Sequence, residues 1–195
     1  MAREIRARQT KAQEDNSGVI YFSSLLTPIG QLFVAKNARG VCRISFPHDT
    51  ENNFLHTFFK KNTTPIERND VSLQYEIAAL KAYFSGKQVV FDFPLDISSG
   101  TPFQTKVWMK LQEIPYGECR SYQWVAEQIG SPGASRAVGS ANHNNPLPPI
   151  IPCHRVIGAD GQLTGYASGL AVKKWLLAEE FRVAGKALGP FDPRL

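Results

Sequence analysis

Apolar and polar residues alternate in short runs over the first half of the chain and recur every three or four positions over much of the second. Val19 to Phe22, Gln31 to Lys36 and Val41 to Phe46 are rich in β-branched and aromatic residues, with turn chemistry between them at Thr27-Pro28-Ile29-Gly30 and Asn37 to Gly40. This pattern predicts a small antiparallel meander. Leu73, Ile77, Leu80 and Phe84 then fall at spacings of four, three and four, which predicts a helix with Asp70 as N-cap and Gly86 as its stop. Val89 to Phe93 reads as one more strand. Pro94 to Gly100, where Ser98-Ser99-Gly100 interrupts any periodicity, reads as a linker. The expected organisation is a charged tail over residues 1–18, an α/β domain over 19–95, a linker at 96–100, a mostly α domain over 101–187 and a short tail at 188–195.

The second domain opens on Thr101-Pro102-Phe103-Gln104, a capping box with proline at the first helical position, followed by a helix burying Phe103, Val107, Leu111 and Ile114. Ser121 is placed to cap a short helix carrying Val125, Ala126 and Ile129. Gly130 to Gly133 breaks it, and Ala134 to Asn142 resumes as a helix of small residues. Helix, tight turn, helix is the pattern of a nucleic-acid-docking helix-turn-helix, and equally of a plain helical hairpin.

Charge shifts that balance. No Asp or Glu occurs from Gln128 to Ala159, while Arg136 and Arg155 remain, so backbone N–H groups and short side chains there can approach phosphates without carboxylate repulsion. Gln123, Ser131, Ser135 and Arg136 are the candidate nucleic-acid contacts.

The 195 residues, 43% hydrophobic and 20% charged, exclude whole-chain disorder and collagen-like structure. No uncharged apolar run nears the roughly 20 residues that span a bilayer, so no membrane partner is expected. The first residues lack the apolar core of a secretory signal. Three cysteines, an odd number, make no disulfide framework and point to a reducing, cytoplasmic setting. A net charge of +5 permits an acidic partner but identifies none.

The chemistry-bearing segment is Pro146 to Pro152, stiff and apolar, which delivers Cys153-His154-Arg155. A thiol beside a histidine and an arginine is expected to have a lowered pKa and an enriched thiolate. Taken alone, Cys153 reads more readily as an inert buried cysteine than as a nucleophile, and in an extended segment His154 reaches the thiol only through a bend or a bridging water. In the last helix Val172, Leu176 and Val183 share one face, and Glu180 continues their stripe. A carboxylate there is either solvated at the end of a terminal helix or paired inside; if buried it needs a partner, and His154 is the candidate, giving a Glu180, His154, Cys153 chain with the logic of a triad. Cys42, Cys119, His48, His56 and His143 show no ligand spacing, so no metal is expected, and no Gly-rich phosphate loop occurs.

The run Pro152-Cys153-His154-Arg155-Val156-Ile157-Gly158 resembles the active-site signature of the O6-alkylguanine-DNA alkyltransferases. Ile114-Pro115-Tyr116-Gly117-Glu118, Ser121-Tyr122, Arg136-Ala137-Val138-Gly139, Asn145-Pro146, Gly165-Tyr166 and Val172 to Ala178 resemble the same family in the same order. The resemblance implies a ribonuclease-H-like first domain and a winged-helix type of helix-turn-helix in the second. It implies a self-inactivating repair protein, monomeric when free, that binds double-stranded DNA through the minor groove and uses no cofactor. Cys153 would take the alkyl group from O6-alkylguanine, with O4-alkylthymine a further candidate substrate. His154 and Glu180, through a water, would take the thiol proton. Tyr122 would bond the base and assist its departure, Asn145 would support the active-site turn, and Arg136 would replace the extruded nucleotide. Backbone groups of Cys153, Val156 and Ala167, with Tyr166 nearby, would read the guanine edge. A non-transferring lesion sensor of the same kind lacks this cysteine. A Cys-His hydrolase would not need an upstream helix-turn-helix, and a transcription regulator would need more base-reading side chains than Ala134 to Asn142 offers.

Overall fold

A computed structural model describes residues 18–59 and 64–186. Most of the expected N-terminal tail and the whole of the C-terminal one lie outside the described residues. Strands β1 (Ile20–Thr27), β2 (Gly30–Asn37) and β3 (Gly40–Ile44) form the expected antiparallel meander, with Leu25 opposite Leu32 and Phe22 opposite Ala35. A fourth strand, β4 (Ile66–Arg68), lies parallel to β1 on its free edge, so the sheet has order β3-β2-β1-β4 and is mixed rather than antiparallel.

Because side chains alternate across a strand, the sheet buries two faces. Ile20, Phe22, Phe33 and Ala35 pack under helix α1 (Glu51–Phe59), whose Phe54 stacks on Phe33 at 5.6 Å. Leu25, Leu32, Val34, Val41 and Ile44 face the other way, into a cluster that takes in helix α2 (Gln74–Phe84) and continues to Val107, Trp108, Val138, Ile151 and Leu176 of the second half.

Two local expectations change. Asp70 does not cap α2; it accepts a 2.6 Å hydrogen bond from Ser23, and the turn before the helix is held by Asn69 accepting from the Ser72 N–H. Val89 to Phe93 forms no strand; only Leu95 bridges Val41, and Phe91 and Phe93 instead pack onto the core as side chains. The linker is pinned, since Asp96 accepts from Asn37 and Arg39 and its N–H donates to the Val41 carbonyl.

The second half follows its local signals closely. Helix α3 (Pro102–Leu111) begins in the expected capping box of Thr101 and Gln104. Ser121 accepts from the Trp124 N–H and caps α4 (Tyr122–Gln128). Helix α5 (Ser135–His143) follows the glycine turn, and the Trp108 indole donates to the Ala141 carbonyl at 2.9 Å, tying α3 to α5. Short strands β5 (Arg120–Ser121) and β6 (Val156–Ile157) pair in parallel. Between α5 and β6 the chain makes a one-turn 3₁₀ helix, Cys153–Arg155, and the last helix is α6 (Leu170–Val183). No helix among the described residues is long and apolar enough to cross a membrane.

Candidate active site

The segment that carries Cys153 is fixed from both halves of the molecule. The Ile44 N–H in β3 donates to the Pro146 carbonyl, and Asn145 holds the other end of the bend. Asn145 accepts from the Leu147 N–H at 3.0 Å and donates from Nδ2 to the Ile151 carbonyl at 2.7 Å and to Cys153 Sγ at 3.0 Å. One buried amide therefore sets both the path of the backbone and the position of the sulfur. The 3₁₀ turn then sends Cys153 and His154 in different directions. Sγ faces a cavity of about 650 Å³ bounded by Tyr122 and Gln123 of α4, Ser135, Arg136, Gly139, Asn142 and His143 of α5, and Ala159 with Thr164 to Ala167. His154 turns inward and is fully buried.

Glu180 meets it there. His154 Nε2 lies 2.8 Å from Glu180 Oε1, so with an ionised carboxylate accepting, Nε2 carries the proton and Nδ1 is left with its lone pair. Nδ1 is buried and has no partner among the described residues. Glu180 accepts four further bonds: from Arg155 Nε to Oε2 at 2.8 Å, from Arg155 Nη2 to Oε1 at 2.9 Å, from the Tyr83 hydroxyl to Oε1 at 2.8 Å and from the Gly117 N–H to Oε2 at 3.2 Å. Burial alone would lift this carboxyl, but His154 and the Arg155 guanidinium overcome it and hold Glu180 far below the ordinary carboxylate range. Burial in turn lowers the imidazole's proton affinity against the pull of Glu180, which keeps His154 neutral and basic at Nδ1 near neutral pH.

The thiol corrects one expectation. Proximity to His154 and Arg155 in sequence does not acidify it, because Arg155 is spent on Glu180 and His154 makes no direct bond to sulfur. Burial raises the Cys153 pKa above its ordinary value, opposed by the Asn145 N–H, the Lys173 charge and the Tyr166 hydroxyl, which donates to Sγ. Lys173 has no exposed surface, and burial lowers its pKa to about 8. Its ammonium donates to the carbonyls of Val156 at 2.6 Å and Thr164 at 3.1 Å and lies 5.8 and 6.0 Å from the rings of Tyr122 and Tyr166. It thereby clamps the loop that forms one wall of the cavity while adding positive potential near the sulfur.

Of the residues singled out from sequence, Cys153, Tyr122, Tyr166, Ala167, Gln123, Ser135 and Arg136 line the cavity, and His154, Glu180 and Asn145 stand behind the thiol. Two do not join them. Val156 is buried behind the wall, its N–H given to the Cys153 carbonyl and its own carbonyl to Lys173. Ser131 lies in the glycine turn between α4 and α5, away from the cavity. Sequence reasoning did not assign roles to Lys173, Tyr83, Gly117 or Asn142. The last lines the cavity from α5 with its side-chain amide buried and without a partner among the described residues. Of the two lysines in Val172 to Leu177, Lys173 falls three and four positions before the apolar Leu176 and Leu177, and that spacing was the available signal. Among the described residues no group of three or more His, Cys, Asp or Glu side chains is placed to hold a metal ion.

Gly117 shows how tightly the carboxylate is enclosed. Its φ is +67°, and a Cβ there would lie 2.6 Å from the Ala184 Cβ and 3.2 Å from the Glu180 carbonyl oxygen. Gly117→Ala must strain the turn or displace the end of α6. We expect a loss of about 2 kcal/mol, read by calorimetry as a fall in Tm of roughly 4–8 °C; an unchanged Tm would refute the close approach.

Residues 20–97 match the family described as "6-O-methylguanine DNA methyltransferase, ribonuclease-like domain", and residues 102–182 match its "DNA binding domain". A methylated-DNA–protein-cysteine methyltransferase of Mycolicibacterium paratuberculosis is 42% identical over 174 residues, covering 89% of this chain and 100% of that protein. One of the same name from Methanosarcina barkeri is 45% identical over 163 residues, covering 83% and 97%. Among solved structures, Mycobacterium tuberculosis OGT in complex with DNA aligns with a TM-score of 0.73 and 39% identity, over 84% of this chain and 94% of that one. Two domain matches that together span most of the sequence, with relatives above 40% identity over nearly their full length, place this chain in the 6-O-methylguanine DNA methyltransferase family.

Proposed function

We propose that the protein repairs DNA in a reducing intracellular compartment by moving the alkyl group of O6-alkylguanine onto Cys153, once per molecule. The observation that carries this reading is the position of Sγ. It faces a cavity of about 650 Å³, roomy enough for an extruded base, that is walled by both helices of the helix-turn-helix and the loop from Ala159 to Ala167, while a buried His154–Glu180 pair stands behind it. A base stacked in a duplex does not reach such a sulfur, so the damaged nucleotide must be extruded, at a cost of a few kcal/mol.

In the proposed step the S–C bond forms as the bond between the alkyl carbon and guanine O6 breaks, and the electron pair leaves with the guanine. The thiol proton passes through a bridging water to His154 Nδ1, the nitrogen left free by the bond to Glu180. Glu180 keeps the imidazole in that tautomer and stabilises its charged form, as in other triads. Tyr122, at the cavity wall, supplies a proton to the departing base. Lys173 and the donors Asn145 and Tyr166 stabilise the thiolate once it forms. The thioether has no good leaving group, so the protein does not turn over.

The test is direct. After incubation with a duplex containing O6-methylguanine, digestion and mass spectrometry should show one added methyl group on the Cys153 peptide; an unmodified peptide with a reduced thiol would refute the reading. Arg136 is exposed on α5 at the cavity mouth, and we assign it the place of the extruded nucleotide. Arg136→Ala should slow repair of duplex DNA about tenfold, equivalent to about 1.4 kcal/mol, and leave the reaction with free O6-benzylguanine nearly unchanged. Equal losses on both substrates would remove Arg136 from extrusion.

A further inference from the structure

Tyr83 belongs to the first domain, yet its hydroxyl donates to Glu180 Oε1 at 2.8 Å across 97 positions of sequence. The same oxygen receives His154 Nε2 at 2.8 Å and Arg155 Nη2 at 2.9 Å. Tyr83 is 4% exposed, and its ring is fixed by edge contacts with Phe84 at 5.2 Å and Tyr116 at 6.2 Å, so the hydroxyl has one direction in which to point. A buried phenol needs a partner, but packing alone does not require that partner to be the carboxylate orienting the active-site base.

We propose that Tyr83 is a positioning residue through which the first domain sets the proton affinity of His154. This rests on the methyltransferase reading of the site. The hydroxyl draws on the negative charge of Oε1 that otherwise acts on the imidazole. With the hydroxyl removed, the carboxylate attracts a proton on His154 more strongly, and the imidazole stays protonated to higher pH. A protonated imidazole accepts nothing from the thiol, so the acid limb of alkyl transfer moves toward alkaline pH.

The surrounding groups leave this effect readable. His154 faces Glu180, Arg155 and Lys173. Glu180 faces Tyr83 from α2, Gly117 and Tyr116 from the turn before β5, and Arg155 from the 3₁₀ turn; the Cys119 thiol and the Tyr166 phenol also feel its charge. Burial pushes Tyr83 well above its usual value, Tyr116 to about 12 and Cys119 to about 11, so all three stay neutral where His154 titrates. Burial brings Lys173 to about 8, on the alkaline side.

The experiment measures single-turnover transfer from free O6-benzylguanine, which needs no DNA binding, between roughly pH 5 and 8. It compares the wild type, Tyr83→Phe and the control Phe84→Leu. Phe84 neighbours Tyr83 and stacks on Trp175 at 6.1 Å, so the control loosens the same domain contact without touching the hydroxyl. Tyr83→Phe should move the acid limb up by about half a pH unit, a roughly threefold slower rate on that limb that closes at the plateau. The ¹⁵N-NMR titration of His154 should move by the same amount. Phe84→Leu should lower Tm and leave the limb in place. An unmoved limb in Tyr83→Phe, or equal shifts in both variants, would overturn the proposal. If the wild type takes no methyl group from O6-methylguanine DNA, the methyltransferase reading fails instead; in that case, or if it takes methyl but no benzyl group, the NMR titration alone decides on Tyr83.

Discussion

Cys153→Ala should yield a protein that folds, binds alkylated duplex DNA and transfers nothing. The expectation follows from what the sulfur holds in place, which is little. Of its two hydrogen-bond donors the Tyr166 hydroxyl loses its acceptor, but Asn145 keeps the Ile151 carbonyl at 2.7 Å and, through Oδ1, the Leu147 N–H, so the bend survives the loss of the 3.0 Å contact to Sγ. Such a bond contributes about 1 kcal/mol, within reach of an ordinary stability measurement. The cavity, its helix-turn-helix rim and the His154–Glu180 pair remain. With the nucleophile gone no other thiol can substitute: Cys42 lies in β3 on the far side of the molecule's sheet and Cys119 does not line the cavity. The predicted readout is a long-lived complex with O6-methylguanine DNA and no mass change in any peptide. Methylation at another residue would show that the wrong nucleophile has been named.

Glu180→Gln should be nearly as damaging to the rate and more damaging to stability. The carboxylate accepts five hydrogen bonds and donates none. A carboxamide turns an NH₂ toward donors it cannot accept and leaves the Arg155 charge without its counterion. Breaking a buried pair in this way costs about 3–5 kcal/mol, and loss of an oriented general base slows transfer by about 10²-fold or more. DNA affinity should change little, because Glu180 does not line the cavity. The pH dependence has a definite sign. The folded-state pKa of Glu180 is depressed, so its contribution is fully present above the ordinary carboxylate range and is lost as pH falls below it. Unfolding free energies of wild type and variant should therefore differ most near neutrality and converge in acid. A constant difference across pH, or an unchanged transfer rate, would detach Glu180 from the network.

How much of this was legible in sequence depended on how local the signal was. Thr101 with Gln104, and Ser121 three positions before Trp124, cap their helices as written, because capping is settled within one turn of chain. Glu180 was legible as a carboxylate on an apolar stripe, and His154 as its partner. Helix α1 was not, although Phe54, Leu55 and Phe58 pack on one cluster at i, i+1 and i+4, because a nine-residue helix shows that spacing only once. Strand β4 was not, because Ile-Glu-Arg carries no alternation and owes its place to the free edge of β1. Val89 to Phe93 looked like a strand, yet its aromatics are used as wedges into the core. In the site, neighbours along the chain misled: Cys153 faces the cavity while His154 and Arg155 both turn to Glu180, and a turn of 3₁₀ helix decides which charge the sulfur feels. Tyr83 and Gly117 reach Glu180 across 97 and 63 positions, beyond any spacing rule.

A protein that spends itself in one reaction also has to wait for it. Cys153 is 5% exposed, and its burial favours the protonated thiol in the resting state. Oxidants and stray electrophiles react with accessible thiolates, so the same burial that delays the nucleophile gives it shelf life. Full reactivity is then reserved for a molecule whose alkyl carbon has already been delivered to the sulfur.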